Sequence, residues 1–239
     1  MCGLIVKLVD SFASLRDLAS PRFCCVCGEP LSPEEKNICL ECFESLPLTY
    51  FWEWWENPAY CRLSERMELH SAASLFLFRS ESRFKHIPYS IKYEHSVIFG
   101  YRLGYMLGKR LGNSRDFETI DAVVPVPLHK TRQYRRGYNQ AAAIARGIAE
   151  AMDKPLVEDA VIRRKRTVTQ TRLNPQQKAA NVSGAFRANG VKVAEMVGSG
   201  VRHILIVDDV LTTGATISEC ARPLSKHFII SVASLAFVD

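Results

Sequence analysis

The chain has 239 residues, 47% hydrophobic and 23% charged, which is the composition of an ordinary globular protein and excludes a disordered one. That length allows one full domain with an appendage, or one large domain, and is enough to bury a sizeable core. The net charge of +6 is uneven: His129 to Arg187 holds thirteen basic and four acidic side chains, a net +9, and the rest sums to −3. The basic middle third calls for a polyanionic ligand, either nucleic acid or a phosphate-rich small molecule.

No apolar run reaches about 18 residues, so no membrane span is expected. Met1–Asp10 is interrupted by Lys7 and Asp10 and lacks the basic start and small-residue cleavage site of a signal peptide. A cytoplasmic location follows as the expectation. The eight cysteines then read as metal ligands or buried thiols, not disulfides.

Leu4, Ile5, Leu8, Val9, Phe12, Leu15 and Leu18 recur at helical spacing and predict a helix over 2–19, closed by Pro21. Residues 24–47 have weak periodicity, as a small metal-organised module would. Trp52, Trp54 and Trp55 follow, with Phe51 and Tyr60. They either pack the module onto the main domain or form an exposed partner site. Strands are expected at Ala72–Phe78, Asp121–Val126, Leu156–Ile162, Arg202–Val207 and Phe228–Val238. Helices are expected over 81–111 (one or two), 138–152 and Gly214–His227, with a long polar loop over 163–183. The alternation predicts an α/β fold with a parallel sheet, which binds ligands at the carboxyl ends of its strands. The expected division is an N-terminal module over 1–60 and a main domain over 61–239.

Cys24-x2-Cys27 and Cys39-x2-Cys42, eleven residues apart, offer four sulfurs for a tetrahedral zinc site. Four sulfurs leave no open position, so the metal would be structural. Cys25 is an alternative to Cys24 as ligand, and spacing favours Cys24.

The strongest signal is His203-Ile-Leu-Ile-Val-Asp208-Asp209-Val-Leu-Thr212-Thr213-Gly214-Ala215-Thr216. A buried strand meets two carboxylates, then a tight Thr/Gly loop opening a helix. A turn of the chain at this point would let both carboxylates face one ligand. Loop amides from Thr212 to Thr216 form an anion site. The whole offers a grip on a sugar phosphate: carboxylates for ribose hydroxyls, loop for the phosphate. A plain strand–turn–helix would leave two costly charges beside a buried strand. Upstream, Val124-Pro-Val126-Pro127-Leu-His129-Lys130 ends a strand and leads into Arg132, Arg135, Arg136 and Gly137-Tyr138-Asn139-Gln140. Prolines stiffen this segment, and its cations suit either a pyrophosphate or a nucleic-acid backbone. Residues 163–186 are long and polar enough for a lid that would exclude water, and Arg163–Arg166 alone also reads as a solvated run.

The run Val207–Thr216 resembles the signature of type I phosphoribosyltransferases, and the match is complete. With the four-cysteine module, Pro-Val-Pro-Leu-His-Lys, Arg-Arg-Gly-Tyr-Asn-Gln and Asn-Val-Ser-Gly-Ala-Phe, the chain resembles the ComF family over nearly its whole length. Residues 48–70 are the part least covered. The resemblance implies a phosphoribosyltransferase-type sheet and binding of phosphoribosyl pyrophosphate with Mg²⁺. It implies Asp208 and Asp209 on the ribose hydroxyls, Thr212, Thr213, Gly214, Ala215 and Thr216 on the 5′-phosphate, and Val126 and Pro127 at the pyrophosphate end. It also implies a part in DNA uptake during natural transformation. On this reading Lys130, Arg132 and Arg136 neutralise the leaving pyrophosphate, and a nitrogen acceptor receives the phosphoribose. A second reading is a non-catalytic sensor of phosphoribosyl pyrophosphate or nucleotide that binds single-stranded DNA. A third makes the cysteine module and tryptophans a dock for DNA-uptake proteins.

Overall fold

The computed structural model describes residues 21–93, 96–164 and 184–239. The helix expected over 2–19 and most of the polar loop, 165–183, lie outside these residues.

The fold is α/β, built on a four-stranded parallel sheet. In chain order its strands are β1 (Ser71–Phe78), β2 (Ala122–Pro125), β5 (His203–Leu211) and β6 (Ile229–Val238), in the spatial order β1-β6-β5-β2. Residues Ile204 to Val207 in central β5 are completely buried. This explains why the segment reads as an unbroken apolar run: a parallel sheet is covered on both faces.

The helices are α1 (Leu40–Glu44), α2 (Pro58–Ser64), α3 (His86–Tyr93), α4 (Val97–Leu111), α5 (Lys130–Arg136), α6 (Gln140–Met152), α7 (Gly190–Gly198) and α8 (Ala215–Ala221). α4 and α6 pack against the sheet and each other at backbone contact distance. A Cβ on Gly104 would stand 2.2 Å from the Ile144 carbonyl oxygen, and one on Gly147 2.1 Å from that of Tyr101. Only glycine permits that crossing.

A polar chain runs through the otherwise apolar sheet. Ser71 and Ser231 share a 2.7 Å hydrogen bond, as do Ser74 and Ser234. His203 joins Ser231 through Nε2 and Thr119 through Nδ1, both at 2.8 Å. Burial, reinforced by the nearby His70 charge, pushes the His203 pKa down to about 4, so the ring is neutral and fully partnered.

Several elements differ from the sequence expectation for identifiable reasons. The strand expected at Leu156–Ile162 is split. Leu156 makes a parallel bridge to Val123, the chain turns at Glu158-Asp159, and β3 (Val161–Arg163) pairs antiparallel with β4 (Phe186–Ala188) in a separate two-stranded sheet. The helix expected at Gly214–His227 ends at Ala221. Pro223 has no N–H to continue the ladder. The basic segment after β2 is helical (α5), capped by the His129 ring, which accepts from the Thr131 amide, and stopped by Gly137 at φ 77°.

The described part of the N-terminal segment packs onto the sheet. Leu48 bridges Phe76 of β1, the Phe51 ring meets Phe237 edge-on at 5.5 Å, and α2 runs across the division expected at residue 60. Phe51 and Trp52 are buried, whereas Trp54 and Trp55 are about half exposed. The aromatic run therefore splits between packing and surface.

Candidate functional site

Four sulfurs converge in the N-terminal part. Cys24, Cys27, Cys39 and Cys42 place their Sγ atoms within 4.8 Å of one another, and Cys27 and Cys39 are 3.8 Å apart. A zinc tetrahedron with bonds of about 2.3 Å has sulfurs about 3.8 Å apart, so the residues fit the metal. Amides of Val26 and Cys39 donate to the Cys24 sulfur at 3.4 Å. Burial works to raise the Cys24 pKa, but hydrogen bonds from the Cys27, Cys39 and Val26 backbone outweigh it and bring it down to about 7. This is how a thiolate is readied for a cation. Cys25 lies outside the cluster, packed against the core. Its amide donates to the Asn37 carbonyl.

The second constellation sits at the carboxyl ends of β2 and β5. These strands run in register, with Pro125 opposite Val207, and the Val126 amide donates to the Val207 carbonyl at 2.8 Å. Val126 is buried and Pro127 half-buried. Asn139 fixes this strand end by donating to the Val126 carbonyl, while its own Oδ1 caps α6.

The chain does not turn at the carboxylates, as the sequence suggests. β5 continues to Leu211, and the two carboxylates stay close: the Asp209 amide donates to Asp208 Oδ1 at 2.9 Å, and the Asp209 side chain bears directly on Asp208. On the α8 side, burial and then the Asp208 charge push the Cys220 thiol pKa up. Asp209 faces α3, where Lys92 Nζ lies 2.6 Å from its Oδ2. Both carboxylates are buried. Burial, then the neighbouring Asp209 charge, pushes the Asp208 pKa well above the usual carboxylate range.

The loop after β5 is shaped from behind by the N-terminal part. Gly214 sits at φ +75°, and a Cβ there would meet Leu63 Cδ2 of α2 at 2.8 Å. Arg62, also on α2, donates to the carbonyls of Thr212 and Val238, and its guanidinium lies 4.0 Å over the Phe237 ring. Thr212 is exposed, Thr213 and Thr216 half-buried, and Gly214 and Ala215 buried.

The cations expected at the site are spread along α5. Lys130 is exposed, and Arg132 and Arg136 are half-buried. Arg136 donates to Gln140 at 2.9 Å and stacks over Tyr93. Arg163, from the run that also reads as solvated, is buried. Its pKa is lowered by burial and by the Arg132 charge and raised by Asp208. Lys92, Arg62 and Asn139 escaped the sequence reading as site residues. The one available signal was a lysine set directly beside the apolar Ile87/Ile91 stripe of α3.

No family model matches the chain. Competence protein F of Haemophilus influenzae is 34% identical over 125 residues, 52% of this chain and 53% of that protein. The DNA utilization protein YhgH of Escherichia coli is 36% identical over 107 residues, 45% of this chain and 44% of that protein. The chain thus spans about half the length of the curated relatives it matches. Among solved structures, a glutamine phosphoribosylpyrophosphate amidotransferase from B. subtilis aligns with a TM-score of 0.34 and 20% identity, covering 56% of this chain and 26% of that one. Among the described residues no helix is long and apolar enough to cross a membrane. Over that part the chain is similar to competence protein F and DNA utilization protein YhgH, in keeping with the resemblance its motifs carry.

Proposed function

We propose that this protein binds phosphoribosyl pyrophosphate and transfers its phosphoribosyl group to a nitrogen acceptor, releasing pyrophosphate. The observation that carries the reading is the complete Val207–Thr216 motif at the carboxyl end of the central strand, its loop held by a glycine at φ +75°. Loop amides of Thr212 to Thr216 would take the 5′-phosphate. Asp208 and Asp209 would take the ribose hydroxyls and favour positive charge developing on the sugar. Lys130, Arg132 and Arg136 on α5 would face the leaving pyrophosphate, with Val126 and Pro127 forming the floor at that end. The four-cysteine cluster is the metal-competent group found among the described residues. Mg²⁺ would arrive on the pyrophosphate oxygens, as this ion does when it keeps much of its water. Zinc would close the cysteine module and fix α1 and the segments around it. Free thiols at such a site suit a reducing, cytoplasmic setting.

Calorimetric titration of phosphoribosyl pyrophosphate with Mg²⁺ tests this reading. Wild type should bind, and Asp208→Asn/Asp209→Asn should not. Folded, zinc-loaded wild type that fails to bind would remove the transferase reading. The second reading, a non-catalytic sensor with a single-stranded-DNA face, is favoured by the exposed cationic helix α5, which buries none of its residues, and by the names of the relatives. It predicts strongly salt-dependent binding to single strands and no turnover with a panel of bases.

A further inference from the structure

α3 contributes three successive residues to the neighbourhood of the proposed site. The Ile91 carbonyl accepts from the Tyr138 hydroxyl. The Tyr93 ring lies 5.1 Å beneath the Arg136 guanidinium. Between them, Lys92 Nζ reaches Asp209 Oδ2 at 2.6 Å, with the two side chains 25% and 7% exposed. Tyr138 and Arg136 belong to the connection between β2 and α6, and Asp209 belongs to β5. The end of α3 is therefore fastened to both strand ends that frame the proposed ligand.

We propose that Lys92 is a positioning residue of the phosphoribosyl site, acting through Asp209. This inference rests on the phosphoribosyl pyrophosphate reading above. Lys92 is the cation paired with the buried Asp209 carboxylate. The ammonium takes Oδ2 and commits the carboxylate to one rotamer. Oδ1 is then the oxygen that a ribose hydroxyl meets. The same contact supplies the counter-charge that lets an acidic side chain sit buried beside an apolar strand. An ion pair this close and this far out of water holds the side chain against thermal motion.

The test compares binding of phosphoribosyl pyrophosphate with Mg²⁺ to wild type, Lys92→Met and Lys92→Arg, at a temperature where circular dichroism shows all three folded. Methionine keeps the unbranched stem and removes the charge, and arginine keeps the charge. Losing this buried ion pair corresponds to at least about tenfold weaker binding for Lys92→Met, with Lys92→Arg within about threefold of wild type. Three results would overturn the proposal, and they are distinguishable. Wild type that does not bind removes the underlying reading and the inference with it. Wild type and Lys92→Met binding alike remove the inference and leave the reading standing. Equal weakening in Lys92→Met and Lys92→Arg reduces Lys92 to packing, because the charge then makes no difference.

Discussion

Gly214→Ala probes the loop at the centre of the proposed site and the contact that shapes it. The glycine has φ +75°, and an alanine forced into the left-handed region costs about 1–2 kcal/mol. The added Cβ would also lie 2.8 Å from Leu63 Cδ2, where carbon atoms prefer about 3.5–4.0 Å. Leu63 is completely buried, so its retreat overpacks the core, at about 1–3 kcal/mol. The total is about 2–5 kcal/mol, read as a lower midpoint in urea unfolding. The two contributions can be separated. In a Leu63→Ala background the clash is gone, and Gly214→Ala should cost only its backbone part. The double-mutant cycle should therefore show a coupling of about 1–3 kcal/mol. A Gly214→Ala protein within about 0.5 kcal/mol of wild type, or an equal cost in both backgrounds, would refute the argument.

Arg62→Met removes donors to the Thr212 and Val238 carbonyls. The site is partly exposed, so the expected loss is about 1–3 kcal/mol in urea unfolding. Weaker binding of phosphoribosyl pyrophosphate should accompany it, and unchanged affinity would show that Arg62 does not set the loop. For His203, the unfolded chain takes up a proton near the ordinary value of 6.5, whereas the folded chain resists until about 4. Stability should therefore be full above pH 6.5 and fall by about 2–3 kcal/mol as pH drops towards 4. Urea unfolding at pH 7.5 and 5 should show that part of the loss in wild type and not in His203→Gln. Elemental analysis should find one zinc per chain, retained in Cys25→Ser and lost in Cys24→Ser, and chelation should lower the melting temperature of the whole protein. Chelation should reach that far because Cys24 and Cys42 lie in the same buried cluster as the sheet. Metal-free wild type with an unchanged melting temperature would contradict this.

The features legible in the sequence are those whose physics is local. An apolar run, two acids and a Thr/Gly loop are contiguous in the chain, as are the two C-x2-C turns, and the alternating helical and apolar segments specify a parallel sheet. What escaped depends on partners far along the chain. Lys92 is an ordinary helical lysine until the fold sets it against Asp209, and Arg62 reads as a surface cation until α2 lies behind the Thr212 loop. The relation of the two carboxylates depended on where β5 stops. Val210 and Leu211 carry the strand past them, so the pair sits within the strand and not at a turn. The Glu158-Asp159 turn and Pro223 are local signals that do appear in the sequence, and they mark where the expected strand and helix were drawn too long.

A crystal structure of the protein with phosphoribosyl pyrophosphate and Mg²⁺ tests the central claim most directly. The account predicts the 5′-phosphate on the amides of Thr212 to Thr216, ribose hydroxyls on Asp208 and Asp209, and the pyrophosphate directed towards Val126, Pro127 and α5. An empty loop at saturating ligand, or a ligand held away from the carboxyl ends of β2 and β5, would contradict it.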